Sequence, residues 1–344
     1  MSAPRPAVGW APIREADRTP EDRGIERDHV RLLVSAGDAD LDQRFSDLPD
    51  LLRPGDLLVV NLSATLPASL PASGRPGDFL VNLSTRYGPD LWVAEPRWAF
   101  DRPGPVGLRE GETLRIGDVP ARIVSFYPGI PRLAFVRTEG DLAAEMARSG
   151  RPIRYGYLAR EYPLGDYQTV FARVPGSAEM PSAARPFSHR LVERLGARGV
   201  EFASIVLHAG VSSLETDAVA PGASPVYPEP FEVPESTVRA VRRARARGGR
   251  VLAVGTTVVR ALESAHDGCG LRATRGFTSL YLRPPRAPRS VDGLLTGFHA
   301  DRTTHLDLLA AFVDLARLAV SYRHARARAY LWHEFGDSQL ILPN

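Results

Sequence analysis

Short apolar runs alternate with helical periodicity along the second half of the chain. The runs Phe202–Leu207 and Arg250–Gly255 are continuous and apolar, which is typical of strands buried on both faces. Each follows a segment with helical spacing, Ala184–Gly199 or Pro234–Gly249, that ends at glycine. Strands that alternate with helices predict an α/β fold with a mainly parallel sheet and flanking helices.

A different pattern covers residues 68–137, where short apolar runs alternate with Pro and Gly. No helical period is visible there, and short strands at close, turn-marked spacing predict a small β-barrel or sandwich. We therefore expect a main α/β domain at 25–67 and 138–344 with an inserted β-barrel domain at 68–137. The segment 1–24 is polar and Pro-rich without the apolar stretch of a signal peptide, so it is predicted to be flexible.

The composition is that of an ordinary globular protein, with 344 residues of which 44% are hydrophobic and 24% charged. No apolar run is long enough to cross a membrane, and the single cysteine, Cys269, excludes an intrachain disulfide. We therefore expect a cytoplasmic protein. The oligomeric state stays open, with a monomer as the default expectation.

Two strand-to-loop junctions are candidate ligand positions, because ligands bind beyond the carboxyl ends of strands in open α/β sheets. At Leu207–Gly210 (LHAG), His208 can move protons near neutral pH, and Gly210 allows close backbone approach. At Gly255–Thr257 (GTT), the threonine hydroxyls can cap the following helix, or its free N–H groups can bind a carboxylate or phosphate. A satisfied histidine and a plain helix cap are the simpler alternatives.

Other segments suggest contact with a nucleic acid. In Asp166–Ser177, Tyr167 could stack on a base and Gln168 could bind its edge, although an ordinary β-hairpin is the alternative. All 43 basic residues are arginine and the net charge is +3, which is compatible with a nucleic-acid partner without requiring one. The arginine-rich segments Arg239–Arg250 and Tyr322–Tyr330 could contact phosphates or form solvated helix faces.

The segment Ser290–His305 runs from a predicted strand through a loop into a helix. Asp292 marks a turn, and Phe298 and His299 lie at the end of the strand. His299 and His305 are residues of a type that binds metals, but the segment lacks the local histidine and carboxylate spacing of a metal site. No metal is therefore predicted.

Taken together, these segments resemble in order and spacing the S-adenosylmethionine:tRNA ribosyltransferase-isomerase family of queuosine synthesis. The resemblance covers roughly residues 28–342, and GTTVVRALE followed by VDGLLTGFH is its most specific part. The matching segments are Asp47–Asn61, Asp166–Pro181, Leu207–Gly210, Glu229, Val251–Ser264, Val291–His299 and Phe335–Leu342.

This resemblance implies an α/β domain that carries an inserted β-barrel, and it implies a reaction. The family transfers the ribosyl unit of S-adenosylmethionine to the aminomethyl group of a 7-deazaguanine base in tRNA and isomerises it to an epoxycyclopentanediol. Adenine and methionine leave. S-adenosylmethionine is then a substrate, tRNA is the partner, and neither a metal nor a redox cofactor is implied.

The implied chemistry needs proton transfer and a site for the carboxylate of S-adenosylmethionine. We expect His208 and Glu229 to transfer protons. We expect the substrate to be bound by Asn61, Tyr167, Gln168, Gly210, Gly255, Thr256, Thr257, Arg260, Asp292, Phe298 and His299. This hypothesis requires His208, Thr256 and His299 to converge on one crevice at the edge of the sheet.

Several positions depart from the family pattern. Leu62 and Ala64 replace a charged pair, while Pro186 and Tyr227 each replace a histidine. A lost imidazole or guanidinium cannot be replaced by these side chains in acid–base or phosphate chemistry. Two alternatives therefore stay open: a divergent paralogue that uses S-adenosylmethionine or a related nucleoside with a small-molecule acceptor or none, and a catalytically silent binding protein.

Overall fold

The computed structural model describes residues 14–211, 224, 226–300 and 303–343. Its strands are β1 (Arg31–Ala36), β2 (Ala39–Arg44), β3 (Leu57–Asn61), β4 (Ser63–Thr65), β5 (Ser69–Gly74), β6 (Gly77–Arg86), β7 (Leu91–Arg97), β8 (Thr113–Ile116), β9 (Val119–Phe126), β10 (Ala134–Thr138), β11 (Val174–Ser177), β12 (Glu201–Leu207), β13 (Glu229–Val233), β14 (Val251–Val254), β15 (Thr274–Thr278), β16 (Gly293–Gly297) and β17 (Ser338–Leu342). Its α-helices are α1 (Leu48–Leu51), α2 (Leu142–Ser149), α3 (His189–Ala197), α4 (Glu235–Ala246), α5 (Thr256–Ser264), α6 (Thr304–Leu309) and α7 (Leu315–Ala327).

A nine-stranded sheet in the order β15-β13-β12-β3-β14-β16-β17-β1-β2 forms the main domain. The pairs β12–β3, β3–β14, β14–β16 and β17–β1 are parallel, and antiparallel pairs join the remaining strands. Every residue of β3 is buried, because alternate side chains pack against α4 and α5 on one face and α3 on the other. The predicted α/β class with flanking helices is confirmed.

Six strands close into a barrel in the order β10-β7-β6-β5-β8-β9. The barrel strands span residues 69–138, where the sequence predicts an inserted barrel at 68–137. The barrel has its own core, which includes the fully buried Leu70, Ile123 and Val136. The chain enters it from β4 and returns through α2 to β11, which pairs with β4 in a short parallel ribbon.

No helix in the described part of the chain is long and apolar enough to cross a membrane. The longest of them, α7, has 13 residues. A membrane-spanning helix needs about 20 predominantly apolar residues.

Residues 14–24 pack onto the main domain, which corrects the prediction that the first 24 residues are flexible. Ala16 is fully buried. The buried guanidinium of Arg185 donates hydrogen bonds of 2.9 and 3.0 Å to the two carboxylate oxygens of Glu21. A buried guanidinium needs such a partner, and this polar segment supplies it. Residues 1–13 lie outside the described residues.

Asp56 links the amino ends of two central strands. Its carboxylate accepts hydrogen bonds from the backbone N–H groups of Arg53 and Arg250, at 2.8 and 3.0 Å, and from the Arg250 guanidinium. Burial by itself raises the pKa of Asp56, but these hydrogen bonds outweigh it and hold the pKa below its ordinary value. The pair therefore stabilises the junction where β3 and β14 begin.

We expect Asp56→Asn to lower the free energy of unfolding at pH 7 by about 2–3 kcal/mol, because the partly buried Arg250 guanidinium loses its countercharge. Denaturant unfolding measures this loss. Since the folded-state pKa is depressed, the stabilisation is present above the unfolded pKa near 3.8 and is lost as the pH falls through the folded pKa. The difference between the two proteins should therefore shrink in acid.

Asp50→Asn is the matched control for this measurement. The Asp50 side chain is 59% exposed and pairs with Arg198 at the surface. Its replacement should change the free energy of unfolding by no more than about 1 kcal/mol. Equal losses in the two variants would contradict the assignment.

Candidate functional site

A cavity of about 440 Å³ opens at the carboxyl ends of β14 and β16, and we call it the main chamber. Its volume lies in the usual range for small-molecule sites. Segments of the chain at 153–157, 178–183 and 333–334 form its other walls. Its aromatic and carboxyl side chains are His299, His305, His333, Tyr155, Tyr157, Tyr167, Phe298, Glu15, Glu179 and Glu334.

The N-terminus of α5 opens into the main chamber through Thr256 and Thr257. The residue before the helix is Gly255, and its φ of +97° is a backbone conformation that favours glycine. No side chain caps α5, because both threonines already lie inside its first turn. The alternative of a threonine helix cap is therefore wrong, and the free N–H groups of this turn favour an anion.

Two histidine rings stack at the wall of the main chamber. The His299 and His305 rings are 4.5 Å apart and nearly parallel, at 6°. Desolvation by the surrounding protein lowers the pKa of His305 to about 4, with a further contribution from Arg260. Desolvation, followed by repulsion from His305, lowers the pKa of His299 well below 6.5. Both rings are therefore neutral at pH 7 and can face a ligand without adding positive charge.

Carboxyl groups and aromatic rings form the opposite side of the main chamber. The Tyr155 hydroxyl donates to Glu179, and the His333 ring stacks on Tyr157 at 4.4 Å. Burial raises the pKa of Glu334 to about 7, so this carboxyl titrates near neutrality. The described lining includes no arginine. The main chamber therefore suits a ligand that combines a positive charge with a planar ring system.

A smaller cavity of about 50 Å³ adjoins the main chamber and contains Glu229 and Arg260. These two side chains form an ion pair in which the carboxylate is 3% exposed. The second oxygen of Glu229 accepts a 2.7 Å hydrogen bond from the N–H of Gly210. Both carboxylate oxygens are thus bound to protein groups, and Glu229 holds the LHAG junction in place. The two cavities share Ala209, Thr256, Thr257 and His305.

His208 lies outside the main chamber, and this corrects the expected convergence of three residues on one crevice. Its ring lines a second cavity of about 520 Å³ between the barrel and the main domain, which we call the barrel-side cleft. The ribbon of β4 and β11 separates the two cavities, since Thr65 lines the main chamber and Gly176 lines the cleft. Thr256 and His299 do share the main chamber.

Two other predicted binding residues are bonded to the backbone. The buried Asn61 side chain donates to the carbonyl of Leu207 at 2.8 Å and accepts from its N–H at 3.1 Å. The Gln168 amide makes a similar pair with the backbone of Thr65, at 3.0 and 2.8 Å. The Asn61 amide joins the ends of β3 and β12, and the Gln168 amide joins a loop to the end of β4. Neither residue lines one of the three cavities.

Of the remaining predicted residues, Asp292 lies far from the main chamber, whereas Phe298 and Tyr167 border it. Asp292 lies at the amino end of β16 and accepts a 2.7 Å hydrogen bond from the N–H of Val251, at the opposite edge of the sheet. Phe298 borders the main chamber, but its ring stacks on Trp332 in the core at 4.8 Å. Tyr167 lines the main chamber, and its buried hydroxyl has no hydrogen-bond partner among the described residues.

Glu179, His333 and Glu334 are not among the site residues predicted from the sequence. A detectable signal existed for the last two, because they directly precede the matching segment Phe335–Leu342. Glu179 lies inside the matching segment Asp166–Pro181, but its position on the chamber wall depends on the ribbon that precedes it.

The departures at Leu62, Ala64, Pro186 and Tyr227 lie outside the described lining of the main chamber. Leu62, Ala64 and Pro186 are absent from the lining of all three cavities. The buried Tyr227 borders the smaller cavity, and its hydroxyl bonds Ser84 of β6 at 2.7 Å and the Val211 carbonyl at 2.9 Å. Tyr227 therefore fastens the barrel to the main domain.

One group of potential metal ligands occurs among the described residues, formed by Glu26, Asp28 and His29. Their ligand atoms lie within 4.8 Å of one another, but none of the three lines a cavity described above. The Arg190 guanidinium already contacts Glu26 at 2.8 Å. The absence of a metal stays a prediction.

Comparison with known proteins adds independent information about this arrangement. The sequence model of a family described as queuosine biosynthesis protein matches residues 13–341. The S-adenosylmethionine:tRNA ribosyltransferase-isomerase of Thermus thermophilus is 39% identical over 328 residues, which cover 93% of this chain and 94% of that protein. The enzyme of the same name from Gloeobacter violaceus is 39% identical and covers 92% and 90%.

A solved structure is similar over nearly the whole chain. The crystal structure of S-adenosylmethionine tRNA ribosyltransferase from Thermotoga maritima aligns with a TM-score of 0.51 at 29% identity. The alignment covers 92% of this chain and 93% of that one, so it includes both the main domain and the barrel.

We expect Arg260→Met to lower the free energy of unfolding by about 3–5 kcal/mol, because it leaves the buried Glu229 carboxylate without its countercharge. Adding Glu229→Gln should recover much of this loss, since no unpaired charge then remains. Denaturant unfolding of the single and double variants measures both effects.

Arg272→Met is the control, because the Arg272 side chain is 61% exposed and its pair with Asp267 lies at the surface. It should cost no more than about 1 kcal/mol. A double variant that is less stable than Arg260→Met alone would show that the ion pair is not what holds Glu229.

Proposed function

Since the chain belongs to the queuosine biosynthesis protein family, we propose that it is an S-adenosylmethionine:tRNA ribosyltransferase-isomerase. The observation that carries this proposal is the extent of the match. The relatives with this name cover nine-tenths or more of this chain at 39% identity, through the main domain and the barrel. S-adenosylmethionine and tRNA are then the substrates.

The main chamber fits the chemical groups of S-adenosylmethionine. The uncapped first turn of α5 offers N–H donors to the amino-acid carboxylate. The carboxyl groups of Glu179 and Glu334 face the same cavity and suit the sulfonium and ammonium charges. The neutral ring of His299 and the tyrosine rings provide planar surfaces for adenine.

The reaction needs a group that can remove a proton next to the sulfonium and a donor that supports the departure of adenine. Glu334, with a pKa of about 7, is the chamber group best matched to accept and return a proton at neutral pH. The imidazoles of His299 and His305 are neutral, so each can donate one N–H to the departing base.

The alternatives have weaker support. Leu62, Ala64 and Pro186 do not line the main chamber. The alternatives of a small-molecule acceptor and of a silent binding protein therefore rest on the sequence departures alone. A cytoplasmic, monomeric enzyme without metal or redox cofactor completes the proposal.

We expect the protein to release adenine and methionine from S-adenosylmethionine only when tRNA that carries the aminomethyl-7-deazaguanine base is present. Mass spectrometry of the small products and of the digested tRNA measures this. Unmodified tRNA is the control. Breakdown of S-adenosylmethionine without tRNA would favour the small-molecule alternative, and no turnover under any condition would contradict an enzymatic role.

We expect S-adenosylmethionine to bind more tightly as the pH rises from 6 to 8, because Glu334 acquires its negative charge over this range. The stability of the protein without ligand should change in the opposite direction. Because the folded-state pKa of Glu334 is raised, this group adds stability at low pH, and that stability is lost as the pH rises through about 7. Calorimetric titration measures the affinity, and thermal unfolding measures the stability.

The variant Glu334→Gln should bind S-adenosylmethionine roughly tenfold more weakly at pH 8 and lose the pH dependence. Glu193→Gln, on the exposed face of α3, is the matched control and should behave like the unaltered protein. An unchanged pH profile in Glu334→Gln would remove Glu334 from the binding site.

A further inference from the structure

The barrel-side cleft is a second cavity that the proposed reaction does not yet use. Apolar side chains form most of its walls, including Leu66, Met146 and Pro230. Trp92 of β7 adds an aromatic wall, and His208 is the one imidazole in the described lining of the cleft. Its volume of about 520 Å³ is in the range of ligand sites.

A chain of hydrogen bonds determines which nitrogen of His208 carries the proton. The N–H of Ala209 donates to the Ser177 hydroxyl at 3.0 Å, and Ser177 lies 2.6 Å from the Ser63 hydroxyl. The Ser63 hydroxyl lies 2.7 Å from Nδ1 of His208. Among the described residues, the Ser63 oxygen is the acceptor available to the Ser177 hydroxyl proton. Ser63 then accepts from Ser177 and donates its own hydroxyl proton to Nδ1 of His208.

The opposite direction would leave the Ser177 proton without an acceptor. Ser177 and Ser63 are both fully buried, and a buried hydroxyl without its acceptor is costly. The structure therefore favours His208 with Nδ1 as acceptor and the proton on Nε2.

The His208 ring is held in this state by its surroundings. Burial lowers the pKa of His208, so the neutral form dominates at pH 7. A Cβ atom at Gly176 would lie 2.5 Å from the ring, so the glycine backbone packs directly on the imidazole. The Nε2–H has no acceptor among the described residues, while the ring lines the cleft. The cleft thus contains one fixed, uncharged donor.

Arg86 adds a positive charge to this cavity. It is exposed and lines the cleft, and its guanidinium lies 5.7 Å from the Trp92 ring centroid. It donates to the backbone carbonyls of Gly88 and Pro89, at 2.9 and 2.7 Å, and has no carboxylate partner in the described part of the chain. Its charge is therefore available to a phosphate.

We propose that the barrel-side cleft binds one nucleotide of single-stranded RNA. The base packs against the apolar walls and Trp92 and accepts a hydrogen bond from Nε2–H of His208, while Arg86 contacts the phosphate. The identity of the RNA as tRNA rests on the proposed function, but the nucleotide chemistry of the cleft does not. Ser63 and Ser177 are positioning residues that act through His208.

The first test is binding of the four nucleoside 5′-monophosphates to the whole protein, followed by NMR of ¹⁵N-labelled histidine. His208 should be neutral at pH 7 with its proton on Nε2, and a nucleotide should shift its ring signals. Ser63→Ala should abolish the single tautomer. A proton on Nδ1 in the unaltered protein would overturn the hydrogen-bond assignment.

Variants separate the contacts of the base from those of the phosphate. His208→Phe should weaken nucleotide binding about tenfold, the value of one hydrogen bond. Arg86→Met should weaken binding of nucleoside monophosphates but not of nucleosides. The controls are His189→Phe on the exposed start of α3 and Arg122→Met, whose exposed guanidinium also donates to a backbone carbonyl of the barrel. If His208→Phe does not fold, Arg86→Met still tests the phosphate contact and Ser63→Ala still tests the role of the His208 tautomer.

Kinetics then distinguish this proposal from the proposed function. In Arg86→Met the KM for tRNA should rise several-fold, while the affinity for S-adenosylmethionine stays unchanged because the ribbon separates the two cavities. Absence of nucleotide binding together with an unchanged KM overturns the cleft proposal and leaves tRNA-dependent adenine release intact. Nucleotide binding without any turnover of S-adenosylmethionine supports the cleft and contradicts the proposed function.

Discussion

Parallel pairing of β12, β3, β14 and β16 is the constraint on which the site depends. Parallel strands bring their carboxyl ends to one edge, so the LHAG and GTT junctions and the Phe298–His299 turn leave the sheet side by side. The buried Asn61 amide then joins the ends of β3 and β12 by two hydrogen bonds to Leu207. Because this edge is held by backbone pairing and buried amides, the cavities beyond it have fixed walls.

The two large cavities at this edge have different electrostatic character. The main chamber has three carboxyl groups, two neutral stacked imidazoles and no arginine in its described lining. The barrel-side cleft is largely apolar and has Arg86 among its lining residues. A sulfonium nucleoside is complementary to the main chamber, and a phosphate-bearing nucleotide is complementary to the barrel-side cleft. This agrees with an enzyme that joins these two substrates.

Several arginines pair with carboxylates of neighbouring elements. Arg243 of α4 and Arg247, which follows α4, pair with Glu201, and Arg317 of α7 pairs with Asp40. The exposed pairs of Arg243 and Arg247 agree with the interpretation of Arg239–Arg250 as a solvated helix face. Arg86, which the sequence analysis did not select, is the arginine that faces a cavity without a carboxylate partner among the described residues.

The sequence by itself determined the α/β class, the inserted barrel and the glycine turn before α5, because hydrophobic periodicity and glycine conformation are local properties. It could not place His208, since the β4–β11 ribbon that separates this ring from Thr256 is formed by residues far apart in the chain. It also predicted that residues 1–24 are flexible, whereas the described residues 14–24 pack on the main domain and Glu21 pairs with Arg185, 164 positions away. The tertiary structure decided these points because burial and long-range pairing set the neighbours of each charge, and those neighbours set its chemistry.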